Sequence, residues 1–161
     1  MTAIEPFPRK PQAPIDLDSP ANIEYFVSLF YEKLLNDSVL APMFTQVAQI
    51  DLPQHLPTIA LYWQKMLLGD ERYTNNTMAK HRVINRKQAF QAIHFERWLE
   101  HFNATNTTHF KGPFADRART IAANVIKNMK SQMLTDNKGI PIRASGENKN
   151  DDHENHRAIR L

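Results

Sequence analysis

The chain has 161 residues, a formal net charge of +3 and no cysteine. That length makes one domain, large enough to bury a core and still enclose a ligand. The charge is small and the cations are scattered, which argues against a nucleic-acid surface. The missing cysteine excludes disulfides, thiolate metal sites and thioether attachment of a cofactor. No run of about 18 apolar residues occurs, and the N-terminus lacks a basic stretch followed by an apolar one. The expectation is a cytoplasmic protein with no membrane partner.

Residues 1–18 carry Pro6, Pro8, Pro11 and Pro14 and read as an extended or disordered arm. Ser19-Pro20 then supplies an N-cap and a first helical position. The helix that follows ends near Leu35, with Ile23, Phe26, Val27, Phe30, Tyr31 and Leu34 on one face. Residues 39–44, interrupted by Pro42, predict a single short turn. A helix from Pro53 carries the stripe Leu56, Ile59, Ala60, Trp63, Met66 and Leu67 and stops at Gly69. A short polar turn over 77–81 puts Met78 and His81 on one side, and residues 82–87 take no clear assignment.

A third long helix is expected over 88–103, on Phe95, Trp98, Leu99 and Phe102, broken by the Thr/Asn-rich stretch 103–109. Gly112-Pro113 opens a fourth, to about Leu134, with Phe114, Ala118, Ile121, Ala122, Val125, Met129 and Met133 inward. From 135 to 161 the chain is polar and reads as a disordered tail, since it cannot bury enough surface to offset about 1 to 2 kcal/mol of ordering entropy per residue. The domain is therefore 19–134. Apolar positions repeat near 3.6 throughout, so the class is all-α.

Two histidines stand out from an ordinary bundle. A histidine beside an apolar stripe is usually a satisfied core or surface residue, and His94, His101 and His109 read that way. His55 precedes the central stripe, on the side of Ile59 and Tyr62, and His81 follows the next turn. A planar ligand between the two helices could meet one imidazole on each face. Phe44, Ile59, Trp63, Met78 and Trp98 form an apolar and aromatic set larger than a four-helix core needs on one side. A neutral imidazole is a good iron ligand and an apolar slot suits a porphyrin. A di-iron site needs Glu-x-x-His pairs, which the chain lacks.

Phe30-Tyr31, Pro42-Met-Phe44, His55 with Trp63, Leu67-Leu-Gly69, Tyr73, Met78 to His81 and His94-Phe-Glu-Arg-Trp-Leu99 together resemble the truncated haemoglobins. The resemblance runs over residues 20–133 without a large gap, and the spacing is similar to the third group. The absence of paired glycines between the first helices suits that group. Asn75 stands where the family often has glycine two residues after the tyrosine, and asparagine can take the left-handed conformation.

The resemblance implies a globin-like, two-over-two helical sandwich around non-covalent haem b, with His81 as the proximal iron ligand. It places Tyr31, His55 and Trp98 on the distal side, Phe44 against the ring and Ile59 beside the bound gas. Tyr62, Trp63, Tyr73 and Met78 become further haem contacts. Lys80, Arg82 and Arg86 compete for the propionates, against the plain reading of a solvated charged loop. His55 either gates the pocket or binds iron itself.

The implied function is reversible binding of O2, NO or CO, with peroxide as a further iron ligand, for gas scavenging or detoxification of NO or reactive oxygen species. Peroxidase activity would be weak, because no acidic partner for His81 is evident. A reductase partner for ferric iron and a monomer or weak dimer are expected. Two alternatives stay open. One is a haem-based gas sensor reporting through the arm or the tail, for which deleting 135–161 should leave ligand kinetics intact. The other is a haem-free helical interaction module.

Overall fold

Five helices make up most of residues 14–139, the part of the chain that the structure, a computed structural model, describes. They are α1 (Pro20–Leu35), α2 (Leu52–Leu68), α3 (Thr77–Lys87), α4 (Ala92–His109) and α5 (Pro113–Gly139), with a π-helical turn, Met43–Val47, between α1 and α2. Helix α1 packs on α2, α4 packs on α5, and α1 crosses α4, so two helical pairs lie one over the other. The class is the expected all-α one; the strand-like feature among the described residues is an isolated bridge between Ile15 and Phe110.

Helix α1 is built as its sequence predicts. The Ser19 hydroxyl accepts from the Asn22 amide at 3.1 Å, and all six expected face residues are buried. Helix α2 ends where Gly69 turns left-handed, at φ 79°. Its stripe is buried at Ala60, Trp63 and Leu67, but Met66 is exposed. Gln64 takes an inward place instead, with its side-chain oxygen accepting from Arg72 at 3.1 Å. The expected turn over 39–44 is longer, continuing through the π-helical residues to Val47.

The element bounds depart from the sequence reading in several places, chiefly where tertiary partners override local sequence. Residues 82–87, unassigned above, are helical and form most of α3, which starts under an N-cap bond from the Ala79 amide to Asn76. Its polar residues are tied to α5: Arg82 to Asp136 and Gln132, and Asn85 to Asn137 at 2.9 Å. The stretch 103–109 does not break α4. Thr107 bonds back to the Asn103 carbonyl within the helix, and buried Asn106 meets the Ala115 carbonyl and Arg119, so its tie to α5 carries the helix through this stretch. Helix α4 also starts later than residue 88, at Ala92, where His94 Nδ1 accepts from the Gln91 amide. Helix α5 continues past the expected tail start, to Gly139. Residues 140–161 lie outside the described residues.

The arm is anchored at its described end, while residues 1–13 lie outside it. Leu17 is buried in the core. Asp16 caps α5 by accepting from the Ala115 amide at 2.7 Å and the Phe114 amide at 3.2 Å. Gly112 lies against that carboxylate at φ 140°, and a Cβ there would overlap it. Gly112→Ala therefore combines backbone strain with loss of a helix cap, and should cost about 2 kcal/mol or more in denaturant unfolding.

A second anchor joins α1 to α4. The Asp37 side chain is 1% exposed and accepts from Arg97 Nε at 2.9 Å, His101 Nε2 at 2.7 Å and the Val39 and Leu40 amides. Burial alone would raise its pKa, but the donations from His101, Arg97 and the two amides outweigh that and hold the carboxyl well below the usual range. A depressed carboxyl contributes stability above its unfolded pKa, and that stability fades as pH falls through the folded value. Arg97 and His101 are partly exposed, so Asp37→Ala should cost about 2 to 3 kcal/mol at pH 7, below the roughly 3 to 5 of a fully buried pair. The variant's unfolding curve should also lose part of the wild type's steepness below about pH 4.

The core divides into two parts. One gathers Phe26, Phe30, Tyr31, Trp63 and Phe102, with Phe44, Leu56, Ile59 and Tyr62 packed half-buried against it. The other gathers Phe95, Ile126, Met129 and Met133, with Met78 and Phe90 at its edge. Trp98 and Leu99 touch both. Of the two singled-out histidines, His55 stands beside Tyr31 of the first part and His81 beside Phe90 at the edge of the second.

Candidate haem site

His81 is on α3, one turn after Thr77. Its Nδ1 lies 2.8 Å from the Thr77 carbonyl oxygen. A carbonyl can only accept, so Nδ1 carries the proton and Nε2 keeps the lone pair. Burial lowers the pKa of His81; the bond to Thr77 opposes this and Lys80 adds to it. The imidazole is thus held neutral with one defined nitrogen free to coordinate. His55, half-buried near the start of α2, is also pushed down, by burial first and then by Lys80 and His81. His55 thus lies within electrostatic reach of Lys80 and His81, which stand on a different helix.

Tyr31 joins His55 from α1. Their rings are 5.9 Å apart, and Phe44 packs on Tyr31 at 5.6 Å. Tyr31 is 6% exposed, and its hydroxyl has no hydrogen-bond partner among the described residues. Burial, then Tyr73, pushes its pKa up, so the hydroxyl stays protonated and remains a donor. Trp98 stands edge-on to Phe30 at 5.1 Å, and its indole N–H likewise has no partner among the described residues.

The remaining expected residues divide by surroundings. Ile59 and Tyr62 are half-buried against the first core part and Met78 against the second. Trp63 is turned into the first core part, 5.1 Å from Phe102. Tyr73 is buried, with its ring 5.3 Å from that of Tyr62 and its hydroxyl 2.8 Å from the Thr77 hydroxyl. Lys80 is half-buried, and burial lowers its pKa, whereas Arg82 is engaged with α5. Asn75 is not left-handed; among the described residues the non-glycine with positive φ is Gln49. His94 caps α4 and His101 binds Asp37, so both take the ordinary roles expected of them.

A neutral imidazole with a free Nε2, a second neutral imidazole and an unpartnered hydroxyl, each beside one of the two apolar core parts, fit a flat apolar group carrying a metal. No family model matches the sequence. It is similar to the group 3 truncated hemoglobin ctb of Campylobacter jejuni, 28% identical over 110 residues that span 64% of this chain and 84% of that protein. The structure matches the crystal structure of a group III truncated hemoglobin from Campylobacter jejuni with a TM-score of 0.66 and 20% identity, over 83% of this chain and 99% of that one. The fold is that of a truncated haemoglobin, similar to group III.

Within the truncated-haemoglobin fold, α1 and α2 are one pair of the sandwich and α4 and α5 the other, as the resemblance implies. No helix among the described residues is long and apolar enough to cross a membrane. No cluster of three or more histidine, cysteine, aspartate or glutamate side chains among them could hold a bare metal ion. Sequence reasoning missed the Thr77 carbonyl that fixes the His81 tautomer. Its signal was the four-residue spacing from a helix's first residue to the histidine.

Proposed function

We propose that this chain is a haem protein that binds diatomic gases, with His81 Nε2 as the proximal iron ligand. The observation that carries the reading is the His81 imidazole, neutral and locked to Thr77 so that Nε2 is left free. Similarity to a group 3 truncated hemoglobin supports it. Haem supplies an iron centre at which O2, NO or CO can bind. The chain's own residues hold that group and set the polarity around the gas. Phe44, Ile59, Tyr62 and Met78 offer the apolar contact, and Lys80 is the better placed cation for a propionate, since Arg82 is already engaged. Tyr31 and Trp98 are the donors for the distal side, and His55 gates it.

Two hydrogen bonds of about 1.5 to 3 kcal/mol each would slow oxygen release by roughly 10² to 10⁴-fold. Such retention suits scavenging or detoxification of NO or reactive oxygen species better than transport. His81 leans on a backbone carbonyl and not on a carboxylate, so its imidazole stays short of imidazolate character and peroxidase activity is expected to be weak. The test is the absorption spectrum of the haem-supplemented protein in ferric, ferrous and ferrous-CO forms. The expected result is a sharp Soret band with a histidine-type CO complex. A flat spectrum after haem addition would remove this reading and leave a haem-free helical module.

A further inference from the structure

We propose that Tyr73 is a positioning residue for the proximal imidazole, acting through Thr77. The inference rests on the haem reading above and names the part of this chain that sets the strength of the iron–histidine bond. Residues 69–76 link α2 to α3, and Tyr73 is the buried residue of that link, its neighbours being exposed or half-exposed. It is fastened to α2 twice: Lys65 Nζ donates to its carbonyl at 3.5 Å, and its ring stands at 80° to Tyr62, 5.3 Å away. Its hydroxyl reaches forward to α3, 2.8 Å from Thr77 Oγ1.

Thr77 is the first residue of α3, where helix ends fray most readily. It is also β-branched and stiff at χ1, so holding Oγ1 holds the backbone that carries its carbonyl. That carbonyl is the acceptor for His81 Nδ1, at 2.8 Å. The chain of contacts therefore runs from Tyr62 to Tyr73, Thr77 and His81, and ties the ring's orientation to α2. A firmly held acceptor draws on the Nδ1 proton and makes Nε2 the more basic ligand, as outer partners of metal-bound histidines do. Releasing the acceptor weakens the donation without removing the ligand.

The measurement is the iron–histidine stretching band of the ferrous haem-loaded protein, by resonance Raman, for the wild type, Tyr73→Phe, Thr77→Val and the double variant. Phe keeps the ring on Tyr62, and Val keeps the branched shape, so the fold is spared. Each single substitution is expected to lower the band frequency. The double variant should lie no lower than either, because both cut the same link. An unmoved band in Tyr73→Phe, or shifts that add, would overturn the proposal. A second readout is 15N NMR of the His81 ring in the full chain without added haem. The Nδ1–H tautomer should dominate in the wild type and lose population in Tyr73→Phe; an unchanged population there would also overturn the role of Tyr73. Failure of the wild type to take up haem counts against the proposed function, and the tautomer populations still decide the Tyr73 link.

Discussion

Oxygen leaves the haem-loaded Tyr31→Phe protein at least about ten times faster than it leaves the wild type, when release is followed by stopped-flow mixing of the oxygenated ferrous form with excess CO. The substitution keeps the ring that packs on Phe44 and His55 and removes a hydroxyl that has no partner among the described residues. A gas polarised by iron would accept from it in a charge-assisted bond of about 1.5 to 3 kcal/mol, equivalent to roughly 10 to 150-fold in rate. Stability should barely move, because Phe gives up no hydrogen bond among the described residues, and the unloaded variant should unfold close to the wild type. An unchanged release rate would show that the hydroxyl does not reach the gas, whatever its burial.

Replacing His81 by Ala should remove the histidine-type spectrum altogether. Loss of an outer partner of a metal ligand typically costs about 10 to 100-fold in affinity, so loss of the ligand itself should weaken haem retention by about 100-fold or more. Added free imidazole should restore the spectrum, because the cavity left by the side chain accepts the ring it lost. His55 supplies the internal control. Its imidazole is held neutral by the same burial, yet it has no carbonyl partner to fix a tautomer. If His81→Ala keeps a histidine spectrum without imidazole while His55→Ala loses it, the proximal and distal roles are exchanged.

The helix pairs were legible because each carries a stripe wide enough to need a partner, and α1 is the clearest case: all six of its expected face residues are buried. What misled was local chemistry read without its partners. The Thr/Asn run in α4 looks like a loop until Asn106 is seen against α5, and residues 82–87 look indifferent until Arg82 and Asn85 meet the end of α5. Met66 and Gln64 exchanged places because the buried Gln64 oxygen is satisfied by Arg72, which reaches it from the exposed link after the helix. In the site, the residue types pointed to His81, Tyr31 and His55, while the role of Thr77 lies in a backbone carbonyl that no residue type announces; outside the site, the Asp37 anchor depends on contacts 60 and 64 residues apart, which no spacing rule reaches.

The clasp between α3 and the last turns of α5 changes how the C-terminal region should be cut. Asp136 and Asn137 lie beyond the expected domain end, yet they receive Arg82 and Asn85, and Asn137 also donates to the Phe90 carbonyl. A truncation at residue 134 would remove these partners and free the helix that carries His81; one after 139 would spare them. The Arg82–Asp136 pair is partly exposed, so salt screens it. Helix α3 should therefore exchange its amide protons through a local opening of lower free energy than α1 or α4, and exchange faster still as ionic strength rises. The segment holding His81 then becomes less protected than α1 or α4, and the ionic composition of its surroundings sets how often it opens.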